Sequence, residues 1–248
     1  MSTAQKLFAT RVILITGAGG AIGGAAAKAL AAQGASVVLM GRSLAPLEKT
    51  YDAIVSAGHE QPAICPLDFA ATTLEDFQQA INMIQQEFGR LDGLLHAAAT
   101  LGSLTPIEHF DTDLWSRVLQ VNLTAPMLLT RACLPLLKTA PDAAILFSTS
   151  AVGQKGRAYW GAYGVAQAGI ENLTQTLADE LEANTNVRVN SIDPGPVRSR
   201  LRALAYPGED PNTLPDAETV ILAYLHLMLG SSTSGQRINA EDYRDNNR

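Results

Sequence analysis

Ser150 and Tyr163, thirteen residues apart, are the side chains of this 248-residue sequence best suited to carry out a reaction together. Ser150 ends an apolar run (143–150) typical of a buried strand, and Tyr163 lies near the start of a predicted helix (160–183). A hydroxyl donor and a phenolic proton source around one carbonyl would stabilise the negative charge that develops on its oxygen during hydride transfer. The alternative interpretation is a serine that merely ends a strand and a tyrosine of the core.

One helical turn beyond this tyrosine the sequence has Gln167, on the same face of the predicted helix as Tyr163. An unperturbed tyrosine has a pKa of about 10 and is therefore protonated at neutral pH. Gln167 brings no positive charge that would favour the tyrosinate. We therefore expect carbonyl reduction, in which a neutral tyrosine donates a proton, to be affected less than alcohol oxidation, in which tyrosinate must act as the base.

A glycine-rich segment, TGAGGAIG at 16–23, lies where the first predicted strand (11–16) meets the first predicted helix (20–33). In such a turn glycine allows the backbone to approach a pyrophosphate closely, and the helix N-terminus offers free N–H groups and the positive end of its dipole. The motif alone is a weak signal, because an ordinary strand–helix turn can look the same. Together with its position in the chain, it predicts cofactor contacts at Gly17, Gly20, Ile22 and Gly23.

The end of the second predicted strand, Gly41-Arg42-Ser43, indicates which nicotinamide cofactor is preferred. An NAD site usually places Asp or Glu here to bind the ribose 2′-hydroxyl, and that carboxylate would repel a 2′-phosphate. Arg42 can instead form charge-assisted hydrogen bonds to a phosphate, and Ser43 can add another. The sequence therefore predicts NADP(H) in preference to NAD(H), with a solvated surface arginine as the alternative.

Apolar runs and helical patterns alternate along the whole chain, and this alternation predicts the fold. Strands this apolar are buried on both faces, and helical connections between them make them parallel. We predict an α/β fold in a single domain (1–248), a Rossmann-type doubly wound parallel sheet of about seven strands with helices on both faces. The predicted strands are 11–16, 36–41, 62–68, 91–99, 143–150, 187–193 and 235–240, and the predicted helices are 20–33, 43–57, 73–88, two within 107–138, and 160–183.

Two segments fall outside this alternation. The proline-rich stretch 194–215 is interpreted as a long functional loop, of which 196–215 is expected to cover the substrate. The polar tail at 241–248 is expected to be mobile.

Composition narrows the classes of function. A net charge of −6 and a pI near 5.2 argue against nucleic-acid binding. No apolar run approaches the roughly 20 residues that span a bilayer, and the N-terminus lacks the apolar core of a signal peptide, so we expect a cytoplasmic protein. Cys65 and Cys133 are expected to be two buried thiols, and the four histidines show no metal-ligand spacing, so no metal is predicted.

The sequence resembles the short-chain dehydrogenase/reductase (SDR) family over essentially its whole length. The resemblance rests on the glycine turn, Asn122, Ser150, Tyr163 and Pro194-Gly195 at their positions along the chain. The stretches FSTSAVGQKGRAYWGAY and YPGEDPNTL are similar to the YciK-like branch of bacterial oxidoreductases. This resemblance implies a small carbonyl or alcohol substrate, and a homodimer or homotetramer formed through the helices at about 107–138 and 160–183.

The resemblance also implies roles for individual residues. Ser150 would hydrogen-bond the substrate carbonyl, Tyr163 would exchange the proton, and Asn122 would help to hold a water. Gln167 stands where the family has a lysine that favours the tyrosinate and binds the nicotinamide ribose, and its amide can still bond to that ribose. The remaining implied cofactor contacts are Asp68 and Phe69 at the adenine, Ala98 at the adenosine ribose, and Pro194, Gly195, Val197 and Ser199 around the nicotinamide.

Further departures from the family pattern keep a second function open. The family's Asn-Asn-Ala-Gly stretch is His96-Ala97-Ala98-Ala99 here, which removes an asparagine that ties strands together and, at Ala99, a glycine that lets the backbone pass close to the cofactor. Ala21 adds a methyl where the middle glycine of the turn is usual. With Gln167, these changes permit a pseudoenzyme that holds NADP(H), or nothing, and acts through protein partners. A Rossmann methyltransferase is disfavoured, because the Tyr163 helix would then have no purpose.

Three residues between the serine and the tyrosine allow two interpretations each. Lys155 and Arg157 could supply a positive charge from a different part of the backbone, although solvated loop charges are the favoured interpretation. Trp160 could line a substrate pocket or pack against the start of the helix.

Overall fold

The computed structural model describes residues 7–229 and 233–245, and its first strand shows how the sheet is buried. All five side chains of β1 (Val12–Thr16) are buried. Ile13 and Ile15 pack into one apolar layer, and Val12 and Leu14 pack into the opposite one. Successive side chains of a strand point to opposite faces, so a strand that is apolar at consecutive positions is covered on both sides.

Seven parallel strands form one sheet, which confirms the predicted fold class. The other strands are β2 (Ser36–Gly41), β3 (Ala63–Pro66), β4 (Gly93–His96), β5 (Ala143–Ser148), β6 (Val187–Asp193) and β7 (Arg237–Asn239). Their order across the sheet is β3-β2-β1-β4-β5-β6-β7. The chain runs from β1 outward to β3 and then returns with β4 to the other side of β1. Such a reversal leaves a crevice beyond the carboxyl ends of β1 and β4, where ligands bind in open α/β sheets.

Helices cover both faces of the sheet. On one face lie α1 (Ala21–Ala32), α2 (Leu44–Ser56) and α8 (Ile221–Met228). On the other lie α3 (Leu74–Phe88), α5 (Ala125–Leu137) and α6 (Gly161–Glu182). The remaining helices are α4 (Thr112–Leu119), α7 (Arg200–Ala205) and α9 (Ala240–Asp245).

The two helices predicted within 107–138 are present, and they are joined in an unusual way. After a short 3₁₀ turn at Ile107–His109, α4 runs directly into α5 through a π-helical turn, Gln120–Thr124. A π turn inserts an extra residue into the helix and frequently occurs at functional sites. Here it contains Asn122, one of the predicted site residues.

The C-terminal third differs from the sequence-based expectation. The predicted loop 196–215 contains α7 and a 3₁₀ turn, and Arg198 ties it together through the carbonyl oxygens of Pro211 and Leu214. The helix α8 was not predicted. The tail expected to be mobile from residue 241 begins inside α9, and 246–248 lie outside the described residues.

Smaller differences concern strand ends and the thiols. Several observed strands are shorter than predicted, since the residues beyond their carboxyl ends, such as 97–99, leave the sheet to line the crevice. Cys133 is buried as expected, whereas Cys65 is only half-buried, so the expectation of two buried thiols was wrong for Cys65.

Candidate active site

A cleft of about 830 Å³ opens at the carboxyl edge of the sheet. Its walls come from the glycine turn, the ends of β2 and β3, the residues after β4 and β5, the start of α6 and the segment from Asp193 to Tyr206. The catalytic and cofactor residues predicted from the sequence therefore surround one cavity. The exceptions are Asn122 and Gln167, which lie buried behind its wall.

The glycine turn has the close packing that its sequence predicted. Gly17 has a φ of 64°, and a Cβ there would lie 2.7 Å from the Ala97 oxygen and the Ala98 nitrogen. A Cβ on Gly23 would overlap the Gly17 carbonyl. The next helix, α1, has no side-chain cap and no acidic residue in its first turn. Its first N–H groups are therefore available to an anion such as a pyrophosphate.

The two alanines that replace glycines do not close the cleft. The side chains of Ala21 and Ala99 are both exposed, and both residues line the cavity. The link lost with the family's asparagine is made in another way, because the Thr16 hydroxyl accepts hydrogen bonds from the Ala97 and Ala98 N–H groups at 3.1 and 3.2 Å. The backbone here can therefore still accommodate a cofactor.

His96, at the end of β4, is a structural residue. Its ring is buried, stacks on Phe147 at 4.6 Å between ring centres, and forms a 2.9 Å hydrogen bond through Nε2 with the Thr130 hydroxyl. Burial lowers the pKa of His96 to about 3. The imidazole is therefore neutral at physiological pH, and it links β4 to α5.

One end of the cleft has the residues expected around an adenosine. Arg42 and Ser43 are exposed on its wall, and Arg42 forms no ion pair with any residue that the structure describes. Asp68 is exposed beside them and accepts a hydrogen bond from the Ala70 N–H at 3.1 Å. Phe69 is buried beneath, with its ring edge-to-face against Phe77. A free guanidinium and an exposed carboxylate thus lie at this end of the cavity.

At the other end Ser150 and Tyr163 meet. Ser150 follows β5 and precedes a 3₁₀ turn, and Tyr163 lies in the first turn of α6. The Ser150 side chain acts on the Tyr163 phenol and favours its ionised form, and Tyr163 is only 6% exposed. The ring of Trp160 packs against Tyr163 at 5.7 Å between centres. The two residues predicted to act together therefore both line the cleft wall.

The surroundings of Tyr163 favour its neutral form. Burial raises the pKa of Tyr163 above its usual value, and the negative charge of Asp193 raises it further, while the hydrogen bond from Ser150 opposes both effects. Asp193 itself is paired with Arg237 at 2.7 Å. Without a cation at position 167, nothing there offsets these two effects, so the phenol is protonated near neutral pH.

Gln167 lies one turn along α6 and is 3% exposed. Its Oε1 atom is buried without a hydrogen-bond partner in the described structure. The turn at 151–153 packs tightly over it, since a Cβ on Gly153 would lie 2.8 Å from the Gln167 backbone carbon. An unsatisfied buried oxygen is rare and requires an explanation. Here it lies on the helix face that the sequence pattern linked to a cofactor ribose.

Asn122 uses its amide entirely within the protein. Its Oδ1 accepts from the Thr100 N–H at 2.8 Å and its Nδ2 donates to the Thr100 oxygen at 2.7 Å. The side chain thus ties the π turn to the chain beyond β4, and so fixes the cavity wall at that point.

The segment after β6 forms the wall next to Tyr163. Pro194, Gly195 and Val197 line the cavity, and the Ser199 hydroxyl accepts a hydrogen bond from the Arg202 N–H at 3.1 Å, where it caps α7. Ser199 is therefore already engaged within its own loop.

Sequence reasoning missed two residues at this end and left the positions of two others open. Asp193 was not singled out, although it directly precedes Pro194-Gly195 and its charge acts on Tyr163. Tyr206 was not singled out either, yet it lines the cavity and accepts a hydrogen bond from Arg157. Lys155 is exposed and does not line the cavity, whereas Arg157 does.

Together these features define a nicotinamide-type cleft on a doubly wound sheet, and the chain belongs to the short-chain dehydrogenase family of oxidoreductases, whose model matches residues 11–210. It is 40% identical over 224 residues to the uncharacterized oxidoreductase YciK of Escherichia coli K12, covering 90% of this chain and 88% of that protein.

Solved structures give the same assignment. A protein from Pseudomonas syringae, assigned to the short chain dehydrogenases, is 49% identical with a TM-score of 0.93, over 96% of this chain and 98% of that one. Another, from Shigella flexneri 2a and in complex with NADP, is 38% identical with a TM-score of 0.92, over 96% and 99% of the two chains.

The part of the chain that the structure describes lacks two further features. None of its helices is both long and apolar enough to cross a membrane. Within the same residues, no group of three or more His, Cys, Asp or Glu side chains is arranged to hold a metal ion.

Proposed function

We propose that this protein is an NADP(H)-dependent oxidoreductase that moves a hydride between the nicotinamide and a small carbonyl or alcohol. The observation that carries the proposal is that Ser150 and Tyr163 line the same cleft as the glycine turn, with Ser150 acting on the Tyr163 phenol. Membership of the family and the NADP complex of the Shigella relative support it. We take the chain as one domain, 1–248, with 196–215 as its substrate loop, and as a cytoplasmic homodimer or homotetramer.

The residues present fit a dinucleotide phosphate. The uncapped start of α1, with Gly17, Gly20, Ile22 and Gly23, would hold the pyrophosphate. Arg42 and Ser43 would bind the 2′-phosphate, since a guanidinium without a carboxylate partner prefers the extra anion. Around the rest of the cofactor we place Asp68, Phe69 and Ala98 at the adenosine and Pro194, Gly195 and Val197 at the nicotinamide end. Gln167, which lies behind the wall, is left out of these contacts.

The proposed chemistry follows from the state of Tyr163. The nicotinamide supplies or accepts the hydride when it is bound. Ser150 donates a hydrogen bond to the carbonyl oxygen, and Tyr163 donates its proton to the same oxygen as negative charge develops there. Because burial and Asp193 keep the phenol protonated, we assign carbonyl reduction as the efficient direction. The buried ring of Trp160 keeps water from the phenol.

A second candidate function is a pseudoenzyme that binds NADP(H) and acts through partners. It is favoured by one observation, the uncharged Gln167 with its unpartnered oxygen beside a tyrosine whose pKa is raised. A cation would stabilise the tyrosinate form of Tyr163, and position 167 provides none. This candidate predicts cofactor binding without turnover.

Turnover of NADPH with a panel of aldehydes and ketones separates the two candidates. The oxidoreductase proposal expects oxidation of NADPH that falls by about 100-fold or more in Tyr163→Phe, because general acid catalysis contributes about that much. Tyr159→Phe, an exposed tyrosine in the preceding loop, is the matched control and should retain activity. Firm NADPH binding without turnover of any member of a broad panel would favour the pseudoenzyme.

A further inference from the structure

The substrate end of the cleft has an apolar wall. Tyr163 belongs to a small buried cluster with Leu101, Trp160 and Ala205, and Leu201 and Tyr206 pack against it. A substrate whose carbonyl reaches Tyr163 would therefore lie against aromatic and aliphatic side chains. Such a surface suits a hydrocarbon body rather than a polyhydroxylated one.

The charges on this wall are unusual for a protein of net charge −6. Asp193 is bound by Arg237, and Arg202 is bound by both carboxylate oxygens of Glu209 at 2.6 Å. Arg157 and Arg200 also line the cavity, and neither pairs with a carboxylate of the described residues. The substrate end therefore has uncompensated positive charge.

Arg157 is exposed, and its guanidinium is held by Tyr206. Its Nη1 donates to the Tyr206 hydroxyl at 2.6 Å, and its guanidinium lies 5.6 Å from the centre of the Tyr206 ring. The Arg202 guanidinium also lies over that ring, 3.8 Å from its centre. Since one N–H of five is used in this bond, the guanidinium keeps donors for a ligand.

The same guanidinium and Tyr163 share one neighbour, the indole of Trp160. The guanidinium lies 6.0 Å from the Trp160 ring centre, and that ring lies 5.7 Å from the ring of Tyr163. The guanidinium and the phenol ring therefore both neighbour the same indole. A ligand with its carbonyl at Tyr163 and an anionic group at Arg157 would lie along this indole.

We propose that the substrate is an aldehyde or ketone, or the corresponding alcohol, with an apolar body and an anionic end group that Arg157 binds. The anion is a carboxylate or a phosphate ester, since a planar guanidinium pairs with either. This inference rests on the proposed oxidoreductase function and names its substrate class. Arg200 adds a second positive charge at the same end of the cleft.

Binding to the protein loaded with NADP⁺ tests the inference without turnover. Calorimetric titrations use 4-formylbenzoate, 4-formylphenyl phosphate and the neutral methyl ester of 4-formylbenzoate. At least one anion should bind tenfold or more tightly than the ester. Arg157→Gln should lower the affinity for that anion about 10- to 100-fold more than the affinity for the ester, which is the range for a hydrogen bond to a charged group.

Two variants control the experiment. Lys155→Gln removes the same charge two residues away, outside the cavity, and should leave the preference for the anion intact. Arg157→Lys keeps the charge and should retain part of the preference for the anion. An ester that binds as tightly as both anions would overturn the inference. So would equal effects of Arg157→Gln and Lys155→Gln, or an equal loss of NADPH binding in Arg157→Gln, which would assign Arg157 to the cofactor.

The same measurements distinguish this inference from the proposed function. Selective anion binding through Arg157 without any NADPH oxidation would contradict the oxidoreductase proposal and leave the ligand class standing. Turnover of neutral carbonyls alone, with no preference for an anion, would contradict the proposed ligand class and leave the oxidoreductase proposal standing.

Discussion

Replacing Gln167 by lysine tests how the surroundings of Tyr163 limit the reaction. The new ammonium would lie one helical turn from the phenol, on the same face of α6. A positive charge there stabilises the tyrosinate and lowers the pKa of Tyr163, which burial and Asp193 now hold high. Alcohol oxidation, which needs the tyrosinate, should gain most.

The size of the effect follows from distance and burial. Side chains one turn apart lie about 5–6 Å from each other, and two charges about 6 Å apart interact by roughly 3 kcal/mol at an effective dielectric constant of about 20. This interaction would lower the pKa of Tyr163 by about 2. Because position 167 is 3% exposed, desolvation of the ammonium offsets part of the gain. We expect alcohol oxidation near neutral pH to rise about 10- to 100-fold.

The assay is the rate of NADP⁺ reduction with an alcohol substrate from about pH 6 to about pH 11. In the wild type the rate should rise about tenfold per pH unit without levelling off below about pH 10, because the pKa of Tyr163 is raised above that value. Gln167→Lys should level off at lower pH, and carbonyl reduction should change far less. Gln167→Met, similar in shape and uncharged, should keep the wild-type profile. The reasoning is refuted if Gln167→Lys folds and binds NADPH but its pH profile does not move.

Three further outcomes are expected. Burial lowers the pKa of His96, so the stability that this residue contributes is present above about pH 6.5 and is lost as the pH falls. Between pH 7 and 5 the free energy of unfolding of the wild type, measured in urea, should fall by about 2 kcal/mol, and that of His96→Asn should not. Asn122→Ala should destabilise by about 1–3 kcal/mol in the same assay, because it leaves the N–H and C=O of Thr100 without partners, and an unchanged midpoint would contradict that role. Arg42→Gln should lose about tenfold or more in NADPH affinity but little in NADH affinity, measured by cofactor fluorescence, and equal losses would remove Arg42 from the 2′-phosphate site.

The central sheet was predictable because its pattern is local. Short apolar runs rich in β-branched residues, such as that of β1, favour a strand covered on both faces, and the helical stretches between them make neighbouring strands parallel. The same logic located the glycine turn and brought Ser150 and Tyr163 to one edge of the sheet. Each of these inferences needs only a few neighbouring residues.

The parts that could not be predicted depend on contacts between distant residues. The sequence ILAYLHLM of α8 is apolar around most of its circumference, so no polar face marks it as a helix. The bond from Arg157 to Tyr206 joins residues 49 positions apart, and the effect of Asp193 on Tyr163 depends on how β6 packs beside α6. Loop charges and pKa shifts of this kind are decided by tertiary structure.

The most direct measurement is a calorimetric titration of the purified protein with NADPH and, separately, with NADH. The account predicts that NADPH binds at least about tenfold more tightly than NADH, because the cleft pairs an uncapped helix N-terminus with an arginine free to bind the 2′-phosphate. Failure of both cofactors to bind at millimolar concentration, or tighter binding of NADH, would contradict it.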